Sequence, residues 1–191
     1  MITDMQINRE THAAFLEEVR KFHGYPAPGV IIGGYMVQAA RDALPRGILY
    51  DAISETVQCL PDAIQMLTPC TTGNGWLRIF DFGVYAMSLF DKRTGAGVRV
   101  WLDVGKLAPY PETRAWFLKE KPKKEQDEDA LQAELAVGCA AMVSQRPVQV
   151  TAEVLAHRSK GAVVACPRCG DWYPAKYGDV CRPCQGLSPY A

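Results

Sequence analysis

The stretch Cys166-Pro167-Arg168-Cys169-Gly170-Asp171-Trp172-Tyr173-Pro174-Ala175-Lys176-Tyr177-Gly178-Asp179-Val180-Cys181-Arg182-Pro183-Cys184 decides how this chain is organised. It holds two Cys-x-x-Cys pairs with eleven residues between them. A two-residue gap lets a tight turn aim both thiolates at one ion. Zinc takes four such ligands tetrahedrally, with Zn–S bonds of about 2.3 Å. Residues 161–191 are too few to build a core. Trp172, Tyr173 and Tyr177 supply a few apolar contacts, so metal binding must supply most of the folding free energy. Structural zinc contributes about 10–16 kcal/mol in small peptides, which is enough. Four thiolates leave no open coordination position, so zinc on Cys166, Cys169, Cys181 and Cys184 is expected to be structural. A thioredoxin-type dithiol would occur once, at a strand-to-helix junction, and the doubled motif argues against it.

The surroundings of the motif narrow the partners. Residues 161–191 carry Arg168, Lys176 and Arg182 against Asp171 and Asp179, a weak basis for phosphate binding. Docking of the tail on protein is the better expectation, and nucleic acid is not an expected partner. The whole chain of 191 residues has 21 basic and 21 acidic side chains, so no global basic field exists. At 48% hydrophobic residues it is neither fibrous nor disordered. No apolar run reaches the roughly 18 residues that suggest a membrane span. Met1 to Glu10 lacks the basic and apolar segments of a signal peptide. A cytoplasmic location follows as an expectation. In that reducing compartment seven cysteines point to metal or thiol chemistry rather than disulfides.

Upstream, residues 1–157 read as one α+β core domain. Phe15, Val19 and Phe22 share a helical face over 11–22. His23-Gly24-Tyr25-Pro26-Ala27-Pro28-Gly29 forces a rigid turn. A second, mostly apolar helix is expected over 29–44, closed by Pro45, with Gly33-Gly34 permitting close packing. Strands are expected over 49–57 and 76–82, and a helix over 61–67 lies between them. Residues 84–90 and 97–102 should form an antiparallel hairpin across Asp91 to Ala96. Helices follow over 110–120 and 130–144, separated by a charged loop at 119–129, and 148–155 reads as a strand. Cys139, in an apolar setting, belongs to the core.

Three residues outside the tail carry chemistry. His23 lies in the Pro/Gly turn, Cys59 ends a strand, and Cys70 sits in Thr68-Pro69-Cys70-Thr71-Thr72-Gly73-Asn74-Gly75. All stand at element ends, where functional groups gather. Their spacing leaves open whether they meet at a metal, form a reversible Cys59–Cys70 disulfide, or stay unrelated. Asp62 stands in the first turn of its short helix, where a carboxylate is favoured in any case.

Phe22-His23-Gly24, Pro28-Gly29 and Gly34-Tyr35, then Cys59-Leu60-Pro61-Asp62-Ala63-Ile64-Gln65, Thr68-Pro69-Cys70-Thr71-Thr72-Gly73 and Asp81-Phe82-Gly83 resemble the E-subunit family of formylmethanofuran dehydrogenase over residues 12 to 155. The tail resembles the zinc finger that many members append. The resemblance implies an α+β core with an antiparallel or mixed sheet packed with helices, and a small C-terminal treble-clef-like zinc finger. It also implies a homodimer and partners among the subunits of a molybdenum or tungsten oxidoreductase complex of one-carbon metabolism. A core metal site at His23, Cys59 and Cys70 is implied too, holding a second zinc or other divalent metal, with Asp62, Gln65 and Thr71 as supporting groups. Three ligands would leave a position for water or substrate. The carry-over is partial. Tyr25 stands where the family has a second histidine, Ala27 where it has a cysteine, and Val84 where it often has lysine. The expected function is therefore a metal-binding protein similar to that family. The alternatives are a stand-alone zinc-dependent enzyme using an open core site, or a regulatory or interaction protein whose finger binds nucleic acid or protein.

Overall fold

A computed structural model describes residues 6–7, 10–156 and 161–190. The chain folds as two compact units, Met1–Leu155 and Ala156–Ala191.

The larger unit is built around α2 (Pro28–Ala43). Ten of its sixteen residues are buried, from Gly29 to Ala40, so the helix is apolar on nearly every face and must be surrounded. Its neighbours include α1 (His12–His23), α3 (Leu60–Leu67) and α5 (Glu128–Met142), and it also lies on the sheet. The glycine pair makes this possible. A Cβ on Gly33 would stand 2.7 Å from Ala63 Cβ, and one on Gly34 would stand 2.3 Å from Phe15 Cζ. Pro28 opens the helix, where its missing N–H costs nothing. α1 ends at Gly24, whose φ of 94° suits a left-handed cap, and its N–H bonds the Arg20 carbonyl.

The sheet has the order β2-β1-β3-β4-β5. β1 (Tyr50–Ser54) pairs in parallel with β2 (Leu77–Ile79) and antiparallel with β3 (Ala86–Asp91). β4 (Ala96–Leu102) lies between β3 and β5 (Val143–Gln149), antiparallel to both. The mixed sheet packed with helices is the α+β class expected. The β3–β4 turn forms as expected because Asp91 Oδ1 accepts the N–H groups of Arg93 and Thr94 at 2.6 and 2.9 Å. Those bonds, Thr94 foremost, hold the Asp91 carboxyl below its usual range. Gly95 then takes the positive φ of 75°. Glu55, just after β1, receives a bidentate pair from Arg99 of β4 at 2.6 Å on each oxygen. α4 (Pro111–Leu118) packs against α5.

Several sequence expectations change: Phe22, expected to share a face with Phe15 and Val19, is 54% exposed while those two are buried, and β1 ends at Ser54, well before Cys59. The strand expected over 76–82 shrinks to Leu77–Ile79, because Phe82 and Val84 turn their N–H groups to the Glu55 carbonyl instead of running on. The strand expected over 148–155 begins at Val143, directly after α5, and ends at Gln149; Ala152–Leu155 is a short helix, α6. Pairing decides this. Val143 meets Leu102 and Gln149 meets Ala96, so β5 covers the whole length of β4. β5 is an edge strand, and an edge tolerates its polar outer residues and Pro147. Cys139 is buried, as expected, and burial pushes its thiol far up. The connection expected over 156–164 lies partly outside the described residues.

The smaller unit holds a two-stranded antiparallel sheet of β6 (Val163–Ala165) and β7 (Trp172–Pro174). Cys166, Tyr173 and Cys181 form its small core.

Candidate metal and ligand sites

The four tail cysteines converge. Their sulfurs all lie within 4.8 Å of one another, and Cys169 and Cys181 stand 3.5 Å apart. A zinc tetrahedron with bonds of about 2.3 Å has edges of about 3.8 Å, so the donor set fits zinc. Each Cys-x-x-Cys pair owes its turn to a following glycine. Gly170 has φ 83° and bonds the Cys166 carbonyl, and Gly186 has φ 93° and bonds the Pro183 carbonyl. The Cys166 sulfur accepts the N–H of Cys181 at 3.5 Å. That bond, with those from Cys169 and Arg168, brings its thiol down to about 6. The Asp171 N–H draws the Cys169 thiol down, but the neighbouring sulfurs outweigh it and push the group up to about 12. Tyr173 packs against the cysteines, whereas Trp172 is 74% exposed.

In the larger unit, His23 and Asp62 come together although 39 residues separate them. His23 Nδ1 stands 2.6 Å from Asp62 Oδ2, and both side chains are partly buried. α1 ends at His23 and α3 carries Asp62 in its first turn, so the crossing of these helices makes the pair. Cys59 precedes α3 in a backbone conformation rare for a residue with a side chain, φ 48° and ψ −44°. The Leu60 N–H bonds the Gln58 carbonyl across it, forming a strained γ-turn. The turn seats the side chain against α2, where a Cβ on Gly29 would meet Cys59 Cβ at 2.8 Å and Tyr85 Oη at 3.2 Å. Tyr85 Oη donates to the Gly29 carbonyl from the buried side. Burial, and then the Asp62 charge, raise the Cys59 thiol, so it keeps its proton at neutral pH. Gly29→Ala is expected to cost about 1–3 kcal/mol by overpacking. Urea unfolding measures it; a change below about 0.5 kcal/mol would mean that the turn yields freely.

Cys70 does not join this group. It is fully buried, and its sulfur donates to the Tyr50 carbonyl at 3.6 Å, toward the sheet. Burial pushes its thiol up to about 11. Among the described residues, the tail cysteines are the one set of three or more His, Cys, Asp or Glu whose ligand atoms lie mutually within 4.8 Å. The three-ligand core set of His23, Cys59 and Cys70 is therefore not assembled within one chain. α3 separates the two cysteines by its eight residues, about 12 Å of helix. The chain beyond it turns to the sheet. Gln65 and Thr71 shape that loop. Gln65 Oε1 accepts the N–H of Thr72 at 3.2 Å, and Thr71 Oγ1 accepts the N–H of Asn74 at 3.1 Å. Tyr25 places its ring 5.3 Å from that of His23, Ala27 is buried and Val84 is exposed. Tyr85 escapes a reading of the sequence because nothing local marks its bond to a glycine 56 residues away.

Residues 22–152 match the family described as FmdE, molybdenum formylmethanofuran dehydrogenase operon, and residues 157–191 match the FmdE treble clef zinc finger. A solved structure of a tungsten formylmethanofuran dehydrogenase FmdE-like protein from Syntrophus aciditrophicus is 50% identical, with a TM-score of 0.87 over 94% of this chain and 95% of that one. A protein of Archaeoglobus fulgidus described as a probable S-adenosyl-L-methionine-binding protein is 30% identical over 105 residues. That match takes in 50% of this chain and 28% of the relative's length.

Proposed function

We propose, from the premise that this chain belongs to the FmdE family, that it is a zinc-carrying subunit working with oxidoreductase partners of the formylmethanofuran dehydrogenase type, as a homodimer in the cytoplasm. The tail zinc would be held by Cys166, Cys169, Cys181 and Cys184 and would serve the fold of the finger. His23 is the group through which the larger unit meets its ligand. The observation that carries this is the 2.6 Å bond that His23 Nδ1 donates to Asp62 Oδ2. A carboxylate on one ring nitrogen fixes the tautomer and orientation of an imidazole. Nε2 is then the nitrogen left to bind a metal or move a proton.

Among the described residues, no third His, Cys, Asp or Glu joins His23 and Asp62 with ligand atoms mutually within 4.8 Å, short of the three protein ligands a catalytic zinc takes. One chain by itself does not fit a catalytic core zinc. A second zinc or other divalent ion there would draw its remaining ligands from a second copy of the chain or from bound substrate. Such an ion would supply Lewis-acid polarisation; Asp62 would hold the His23 ring in place for it.

Metal analysis of the full chain purified without added metal tests this. Two zinc ions per chain, falling to one in His23→Ala and to one in Cys169→Ser, would place a second ion at His23. One ion per chain, unaffected by His23→Ala, would exclude the core metal and leave His23–Asp62 as a metal-free ligand or proton-transfer group.

A further inference from the structure

We propose that a cavity beside the Tyr25 ring is a binding site for a planar ring carrying two or more negative charges, a nucleotide being the first candidate. The cavity encloses about 660 Å³, within the range of small-molecule sites. Tyr25, Trp116 and Leu131 give it aromatic and aliphatic walls. Lys119, Lys121 and Lys123 line the same space, with Glu128 the one carboxylate among the lining residues.

The lysines are arranged by the backbone. Lys119 caps α4 in the left-handed region, φ 56° and ψ 37°, with its N–H on the Ala115 and Trp116 carbonyls. Glycine would take that conformation with less strain, yet a long cation stands there. Pro122, itself extended at φ −56° and ψ 147°, leads into the 3-10 turn Lys123–Glu125. Lys121 and Lys123, on either side of Pro122, both line the cavity. Glu112 engages Lys121 at 2.6 Å. Lys119 and Lys123 make no ion pair among the described residues. Two uncommitted ammonium groups beside a phenol ring and an indole suit an anion tethered to a π-face. Stacking on the aromatic walls would hold the ring, and the lysines would hold the charges as point cations. Phosphates and carboxylates share this chemistry.

Calorimetry on the zinc-loaded full chain, with ATP, inorganic tripolyphosphate, adenosine and isophthalate, tests the site. ATP should bind at least about tenfold more tightly than tripolyphosphate or adenosine, and more weakly as salt rises. Lys119→Ala/Lys123→Ala should weaken ATP at least about tenfold, and Lys124→Ala, outside the lining, should leave it unchanged. Tyr25→Ala should weaken ATP several-fold while leaving tripolyphosphate unaffected. Isophthalate binding as tightly as ATP would assign the anionic end to carboxylates within the same site. Tripolyphosphate equal to ATP would overturn recognition of the ring. No ATP binding at millimolar concentration, or equal loss in Lys124→Ala, would overturn the site.

Discussion

Cys169→Ser releases the tail zinc and unfolds residues 161–190 while the larger unit keeps its cooperative transition. The finger's own core consists of two cysteines and Tyr173, with Val180 and Cys184 against them. Such a cluster cannot offset the conformational entropy of about thirty ordered residues, roughly 1–2 kcal/mol each for the backbone. The metal must close that gap. Losing one thiolate forfeits much of the about 10–16 kcal/mol that structural zinc contributes. The readouts are zinc per chain and amide exchange in the two units. A tail that stays protected without zinc would refute the account. Acidification acts in the same direction. Each cysteine gives up its proton to bind, so zinc affinity falls as the pH falls. Chelator competition at stepped pH should show zinc held more tightly at pH 8 than at pH 6.

Phe15→Ala is expected to destabilise the larger unit by about 3–5 kcal/mol, and Gly34→Ala by about 1–3 kcal/mol. Phe15 is fully buried on α1, and its ring occupies the space a side chain at Gly34 would need. The two costs have one cause, so they should not add. With the Phe15 ring removed, the Gly34→Ala methyl enters vacated space, and the double variant should recover about 1–3 kcal/mol relative to the sum. Urea unfolding of the four proteins measures this. Simple additivity would mean that α1 and α2 do not meet at this glycine.

The parts of the structure legible in the sequence are those governed by local pattern. Phe15 and Val19 announce the buried face of α1. Asp91 and Gly95 announce the hairpin turn, and Gly33-Gly34 the close approach of helices. β5 is illegible because Ser144 to Pro147 lack the apolar alternation of a strand, and an edge position excuses that lack. The short β2 differs from expectation for a related reason. Trp76 to Phe82 alternate well enough, but the Glu55 carbonyl captures the N–H groups of Phe82 and Val84. Lys119 to Lys123 read as a solvated charged loop, and the cavity wall they form appears only when α4 and Tyr25 stand beside them.

The ligand set of the finger was determined by the sequence alone. Its four sulfurs lie within nineteen residues, each pair is closed by its own two-residue turn, and tetrahedral zinc admits few other arrangements. The chemistry of the larger unit was decided by tertiary structure. His23 meets Asp62 across 39 residues because α1 and α3 cross there, and Cys59 is aimed by a strained turn that packing on Gly29 holds in place. Cys70 leaves the group because its loop runs to the sheet. Residue spacing limits how far apart side chains can lie; only the packing of helices and sheet settles which of them touch.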